Sequence, residues 1–471
     1  MAIPLFIVVF LIIVWQLWRS RSNTGLKEMN TGARLYRETS YAEAAAHFQQ
    51  LLTKRLPPGI EADTRRRLAD TLDILGNAEE AALERNRASA VAMKGAGNQT
   101  ALTAQGDLLR GQNRHDEACE MYRGALRLLP PGNSPRRAQI LARLTISHHQ
   151  AGRSGEALKC AEASLSSQPD KTIRLVMERM AGVAASDQGD LEAAETHYIH
   201  ALDLAEAGGK SEEIAQSLAL LAGLKHKQGC YEEAIIAARR SREVAPTPSR
   251  IDIAVEAECL RDMGRFDEAR SVMRRHFDGP HFPQPRLERK MQALGSLGMA
   301  WIEARAEQPE AAWEHLTDAR DGLKLIVSST IWPPSPGAGE EKLVLWCDAT
   351  AANILTQQGR MAEARRLIDS IESRLTPFAT DRATQRGVYG HLARAALRMG
   401  DLAECRSYCR RYEECLPPPS LRPTIQYLYG ETHLRLGETD AARDCFRQAA
   451  APGIDSLDAR RAAARLNELG G

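Results

Sequence analysis

The chain has 471 residues, of which 43% are hydrophobic and only 5% are aromatic. Its 62 Lys and Arg residues nearly balance its 61 Asp and Glu residues, so no overall charge favours nucleic acid as a partner. A chain of this length exceeds one ordinary compact core, and the low aromatic content disfavours a β-sandwich. These features favour a long array of closely packed helices with almost no β-strand.

The chain begins with an apolar run over residues 1–18 in which Gln16 is the one polar side chain. As a helix this run would reach about 27 Å, close to the thickness of a bilayer's hydrocarbon core. A basic stretch before the run and an A-x-A-like cleavage site are both lacking, which favours a retained anchor over a cleaved signal peptide, the alternative. We predict a transmembrane anchor over residues 1–19, with interfacial aromatic and basic residues at its end. The residues assigned to the anchor and its flank are Phe6, Leu11, Trp15, Trp18, Arg19 and Arg21.

The basic residues near this run all follow it, in or near a short linker over residues 20–27. The positive-inside tendency therefore predicts that the remainder faces the cytoplasm, as in a single-pass protein of a bacterial inner membrane. Nine Cys residues without a regular framework also suit a reducing compartment. The alternative is a periplasm- or lumen-facing chain that assists assembly of an envelope or secretion complex.

A local pattern recurs along the chain after the linker. A turn residue is followed five positions later by a small residue, and further small or aromatic residues follow at helical spacing. The turn positions are Thr39, Gly76, Asn113, Gly152, Gly189, Gly229, Gly264, Glu307, Gly359, Gly400 and Gly437. The small residues are Ala44, Ala81, Ala118, Ala157, Ala194, Ala234, Ala269, Ala312, Ala364, Cys405 and Ala442.

This pattern resembles the tetratricopeptide repeat family, whose unit is an antiparallel helix pair stacked into a superhelix. The resemblance implies an all-α solenoid of about eleven helix pairs over residues 28–455. The turn positions lie 35 to 52 residues apart, longer than the family's unit of about 34 residues, and the family's early Trp is missing. An anchor followed by such repeats is similar in architecture to the lipopolysaccharide assembly protein B type, but this chain lacks that type's four-cysteine metal module.

Pro-rich stretches at 277–290 and 328–342 are predicted to be loops. They either connect repeats or, through Trp332, form a docking point or lid beside the concave groove that such repeats enclose. The segment 456–471 is predicted to be an amphipathic helix that covers the last repeat.

No catalytic motif of the P-loop, dinucleotide-binding, zinc-protease or serine-hydrolase type occurs in the sequence. Cys405, Cys409 and Cys415 form no C-x-x-C pair, so we interpret them as buried structural thiols. We therefore predict a protein without enzymatic activity, cofactor or metal. An enzyme whose site is built from the inter-repeat loops remains the alternative of another class.

The resemblance implies that the first helix of each pair lines a concave groove that binds a protein or peptide. Side chains of mixed charge there suit a polar partner segment, with Arg able to bind carboxylates through two hydrogen bonds. The groove residues assigned by register are Arg66, Asp70, Asp107, Arg179, His226, Arg261, Asn353, Arg394 and Tyr427. We expect charge reversal of Arg179 and Arg394 to weaken partner capture without unfolding the array. The expected function is a membrane-anchored interaction scaffold.

Overall fold

The computed structural model describes residues 28–36, 40–54, 56, 58–95, 98–246, 250–278, 285–328, 338–378 and 381–470. The predicted membrane anchor and linker, with all six of the residues assigned to them, lie outside these ranges. Within these ranges, no helix combines the length and the apolar character that a membrane crossing requires.

The described chain is all-α, and it divides into two compact units after Gln188. Unit 1 contains nine described helices. They are α1 (28–36), α2 (Tyr41–Leu52), α3 (Pro58–Ile74), α4 (Ala78–Gly95), α5 (Asn98–Gly111), α6 (His115–Arg127), α7 (Pro135–Gln150), α8 (Ser154–Ser166) and α9 (Lys171–Gln188).

Unit 2 contains fourteen described α-helices and two short 3-10 helices. The α-helices are α10 (Leu191–Gly208), α11 (Ser211–Gln228), α12 (Tyr231–Val244), α13 (Arg250–Asp262), α14 (Phe266–Phe277), α15 (Pro285–Arg305), α16 (Pro309–Ser328), α17 (Ala338–Gln357), α18 (Met361–Leu375), α19 (Arg382–Met399), α20 (Leu402–Glu414), α21 (Arg422–Arg435), α22 (Thr439–Ala449) and α23 (Leu457–Glu468). The 3-10 helices are Thr376–Phe378 and Pro419–Leu421.

The turn positions adopt a left-handed backbone. All ten that the structure describes have positive φ, which glycine adopts without steric cost. Asn113 and Glu307 adopt it as well, with φ of 59° and 61°, although they carry side chains. Each of these residues ends one helix and precedes the next, so the predicted helix–turn–helix units are confirmed.

The small residue five positions after each turn lies where two helices cross. All ten Ala residues and Cys405 are fully buried. Glycines on the preceding helices permit an equally close approach, because a Cβ on Gly106 would lie 2.6 Å from the Tyr122 ring and one on Gly430 would lie 2.4 Å from Phe446. The predicted repeat solenoid is therefore confirmed at the positions that require small side chains.

The predicted loops are shorter than the Pro content suggested. Helix α15 begins at Pro285 and helix α17 begins at Ala338, so residues 285–290 and 338–342 are helical rather than loop. Proline is tolerated in the first turn of a helix, where its missing N–H has no intrahelical partner. Trp332 lies outside the described residues.

The cysteines are free thiols. Cys405, Cys409 and Cys415 are buried, which confirms their interpretation as core residues. In the part of the chain that the structure describes, no group of three His, Cys, Asp or Glu side chains is arranged to hold a metal ion.

Candidate functional site

In unit 1, three of the groove residues assigned by register line one open cavity. Arg66 and Asp70 on α3 and Asp107 on α5 border a space of about 660 Å³, together with residues of α7. We call this space the unit-1 groove. Its charged lining residues are Asp63, Arg66, Arg67, Asp70, Arg85, Asp107, Arg110 and Arg143.

The unit-1 groove carries more positive than negative charge, since five arginines face three aspartates. Asp107 is held in place by neighbours, because it accepts hydrogen bonds from the Tyr122 hydroxyl at 2.7 Å and from Arg143 Nε at 3.1 Å. Its side chain is 15% exposed. Asp70, in contrast, is 60% exposed and lies 3.3 Å from Arg85. Arg67 and Asp70 are therefore the exposed charges of the groove, and the other six are half-buried.

Arg179 is separate from this group. It lies partly buried on α9 and lines neither the unit-1 groove nor the unit-2 cavity defined below.

In unit 2, His226 and Arg261 meet at a carboxylate that the repeat register did not identify. His226 Nε2 lies 3.0 Å from the Asp262 carboxylate, and Arg261 Nε donates to it at 2.8 Å. Burial acts to raise the pKa of Asp262, but Arg261 and His226 lower that pKa well below its usual range. The Arg261 guanidinium also lies 5.8 Å from the centre of the Trp301 ring. Asp262 and the Trp301 ring therefore both hold the Arg261 guanidinium within unit 2.

The C-terminal segment of unit 2 returns to the first helices of that unit. Ile454 packs on the apolar cluster that contains Tyr231. A Cβ on the turn residue Gly229 would lie only 2.9 Å from Ile454 Cγ1. The Tyr231 hydroxyl donates to the backbone carbonyl of Ser420 at 3.2 Å, across 189 residues of sequence. The repeats of unit 2 therefore close on themselves.

A buried carboxylate at the start of α23 secures this return. Asp458 is 2% exposed and forms ion pairs with Arg305 at 3.1 Å and with Arg394 at 3.2 Å. The Thr424 hydroxyl donates a hydrogen bond to the same carboxylate at 2.5 Å. Burial acts to raise the pKa of Asp458, but Arg305 and Arg394 lower it to about 2. One carboxylate thus joins α15, α19, α21 and α23.

Three further groove residues assigned by register, Asn353, Arg394 and Tyr427, line one cavity of about 420 Å³ beside α23. We call it the unit-2 cavity. Its charged lining residues are Arg305, Glu307, Arg394, Arg398, Glu431, Arg435, Asp458, Arg461, Arg465 and Glu468. α23 supplies four of these side chains, so it fills part of the inner face on which the sequence placed a partner.

The expectation that Arg394 is a surface residue is wrong. Its side chain is 18% exposed and its charge is paired with Asp458. Burial, and next the nearby Arg305, lower the pKa of Arg394 to about 10. Reversing its charge would place a carboxylate against Asp458, so the earlier expectation of an unchanged fold does not hold for this residue.

Sequence reasoning missed Arg305, Arg398 and Asp458. Arg305 and Arg398 lie on first helices of repeats, and Arg398 is one turn from Arg394, which the register did select. The sequence signal for Asp458 was weaker. Asp458 lies two residues after Ser456, which caps α23 by accepting a hydrogen bond from the N–H of Ala459. An acidic residue in the first turn of a helix is ordinarily a helix-stabilising feature and does not by itself indicate a buried contact.

Sequence profiles of the tetratricopeptide repeat match residues 101–135, 173–247, 254–275, 387–411 and 423–448. The chain therefore carries tetratricopeptide repeats. No curated protein matches it.

Solved structures of repeat proteins are similar to this chain. A Rap protein complexed with competence and sporulation factor aligns with a TM-score of 0.50 and 12% identity, over 79% of this chain and 99% of the other. A tetratricopeptide repeat protein from Parabacteroides merdae has a TM-score of 0.41 and 17% identity, over 61% and 98%. The type IV pilus biogenesis factor PilW has a TM-score of 0.36 and 16% identity, over 45% and 91%. At these identities, the likeness to the Rap protein concerns the helical repeat fold alone.

Proposed function

We propose that this protein is a membrane-anchored interaction scaffold that binds an acidic, extended segment of a partner protein in the unit-1 groove. The observation that carries the proposal is the contrast between the two inner faces. Both inner faces carry two more arginines than carboxylates, but α23 covers part of the inner face of unit 2, whereas the unit-1 groove is lined by the repeat helices themselves. Tetratricopeptide repeats and the all-α repeat fold support a binding role.

Recognition in this groove rests on guanidinium groups. Arg66 and Arg67 share one carboxylate, Asp63, at 3.2 and 3.7 Å, and their side chains are 38% and 45% exposed. Partner carboxylates would compete with these weak, solvent-screened pairs and form two-point hydrogen bonds to the same guanidiniums. Raising the salt concentration should therefore weaken binding.

The partner is tested by crosslinking in the native membrane. A photo-reactive residue at Gln139, which is exposed and lines the groove, should form an adduct whose identity reveals the partner. The double change Arg66→Gln and Arg143→Gln should reduce that adduct at least tenfold. The matched control neutralises Arg127 and Lys159, which are exposed on α6 and α8 outside the groove lining. Equal adducts in both double variants, or from a photo-reactive residue at Lys159, would refute the groove assignment.

Membrane attachment is part of this proposal, and it rests on the apolar run at 1–18. A charged residue near the centre of such a span costs about 2.5–3.5 kcal/mol of insertion free energy. Leu11→Arg should release the protein from membranes during alkaline extraction, whereas Ser22→Arg should not. Orientation is proposed from Arg19 and Arg21: protease added outside intact cells should leave the repeats uncut if they face the cytoplasm.

A further inference from the structure

The unit-2 cavity carries a charge imbalance that its own side chains do not neutralise. Six arginines and four carboxylates line it, a formal excess of two positive charges. The four carboxylates are already engaged with the arginines that surround them. Asp458 binds Arg305 and Arg394, Glu307 binds Arg461, and both Glu431 and Glu468 bind Arg465.

Two of the arginines contact only neutral oxygens. Arg398 Nη1 donates to Asn353 Oδ1 at 2.6 Å, and Arg435 Nη1 donates to the Leu397 carbonyl at 2.6 Å. Among the described residues, neither guanidinium forms an ion pair with a carboxylate. Each guanidinium has five N–H donors, so both retain donors for a further acceptor.

The surroundings penalise the charge of Arg398. Burial lowers the pKa of Arg398, and nearby Arg461, Arg305 and Arg435 lower it further, while Glu307 alone among the main influences raises it. A partly buried charge without a counter-charge is costly, and an anion that enters the cavity relieves that cost for Arg398, while the exposed Arg435 remains accessible to the same anion. The space of about 420 Å³ lies within the range of about 300–1,000 Å³ that small-molecule sites occupy.

We infer that the unit-2 cavity binds a small, multiply charged oxyanion, a compound bearing two or more phosphate or carboxylate groups, through Arg398 and Arg435. Guanidinium groups bind both types of oxyanion with two parallel hydrogen bonds. Tyr427 and Leu428 form a less polar wall against which the remainder of such a compound packs. This site lies in unit 2 and needs no partner protein, so it goes beyond the function proposed for unit 1.

The ligand would also join α23 to the repeats. Arg461 and Arg465 of α23 line the same cavity as Arg398 of α19 and Arg435 of α21. An anion held between these helices should slow amide hydrogen exchange in α23, because it adds contacts that exist only in the docked state.

Titration calorimetry at constant ionic strength tests the site, with pyrophosphate and citrate as probes for the two sources of negative charge. We expect at least one of them to bind the full chain with one site per molecule and to slow exchange in α23. Arg398→Gln and Arg435→Gln should each weaken binding at least tenfold. Arg447→Gln, an exposed arginine paired with Asp444 on α22, should leave it unchanged.

A second measurement serves if the cavity variants fail to fold. Phenylglyoxal modification of the wild-type chain, read by mass spectrometry, should show protection of Arg398 and Arg435 by the bound probe and none at Arg447. Absence of binding by both probes, or equal binding by all three variants, would overturn the site. Equal protection of all three arginines would do the same.

Discussion

The inner faces of the two units are built from the same residue types, but the chain covers them to different extents. In unit 1, arginines and aspartates face an open groove, and the Asp70 side chain is 60% exposed. In unit 2, the equivalent helices present arginines to Asp458, which is 2% exposed because α23 returns across them. Where another part of the chain covers a concave face, some of its charges form internal pairs, so charge alone does not identify a groove for a partner protein.

The difference also changes the energetics of each charge. Exposed pairs such as Arg66–Asp63 contribute about 0–1 kcal/mol to stability. Removing one partner of a buried pair costs about 3–5 kcal/mol, because the remaining charge is left without compensation. Substitutions matched across the two units therefore test whether one face is open and the other closed.

The largest effect is expected at Asp458. Asp458→Ala leaves Arg305 and Arg394 without their shared carboxylate and should lower the free energy of unfolding of unit 2 by about 3–5 kcal/mol. Urea denaturation measures it. Asp444→Ala, which removes an exposed carboxylate from α22, is the matched control and should cost within about 0.5 kcal/mol. Equal losses in the two variants would mean that α23 does not dock through Asp458.

Alanine substitutions at two turn glycines separate the cost of backbone strain from the cost of disturbing the contact with Ile454. Gly229 and Gly152 both have positive φ, so alanine strains both turns, by about 1 kcal/mol. At Gly229 the added Cβ also collides with Ile454, whereas nothing lies within 4 Å at Gly152. Gly229→Ala should therefore cost a further 1–3 kcal/mol or so by overpacking. Thermal unfolding of both variants measures the difference, and equal costs would contradict the return of Ile454 to this turn.

Acid should weaken unit 2 through His391. Burial lowers the pKa of His391 to about 3, with Arg394 and Arg261 adding to the effect. The unfolded state then binds more protons than the folded state between about pH 6.5 and pH 3, so stability falls as pH falls through this window. From pH 8 to pH 5 the loss should reach about 2 kcal/mol. His391→Gln should flatten this slope in urea denaturation, and an unchanged slope would exclude His391 as its source.

The smallest effect on stability is expected in the unit-1 groove. Arg66→Gln with Arg143→Gln should change the free energy of unfolding by about 0.5 kcal/mol per site or less, because both side chains are partly exposed. The same pair should reduce partner crosslinking strongly. A stability loss comparable to that of Asp458→Ala would show that the unit-1 face is also an internal one.

The repeat architecture was predictable because its requirements are local. A left-handed turn and a fully buried small residue five positions later recur within each helix pair, and even Asn113 and Glu307 were recognised from this spacing. Register also placed Asn353, Arg394 and Tyr427 around one cavity. The contact of Asp458 with Arg394 spans 64 residues, a distance that no repeat period encodes. The functional assignment of the groove residues remains a prediction.

The return of the C-terminal segment has a consequence for the order of folding. Helix pairs need only their neighbours, so they are able to form while the chain is being synthesised. The contact between Arg460 and the Met263 carbonyl spans 197 residues, and it requires that the ribosome has passed residue 460. Until then, Arg305 and Arg394 face solvent without Asp458. Closure of unit 2 is therefore a late, high-contact-order step, and a nascent chain exposes an inner face that the finished protein hides.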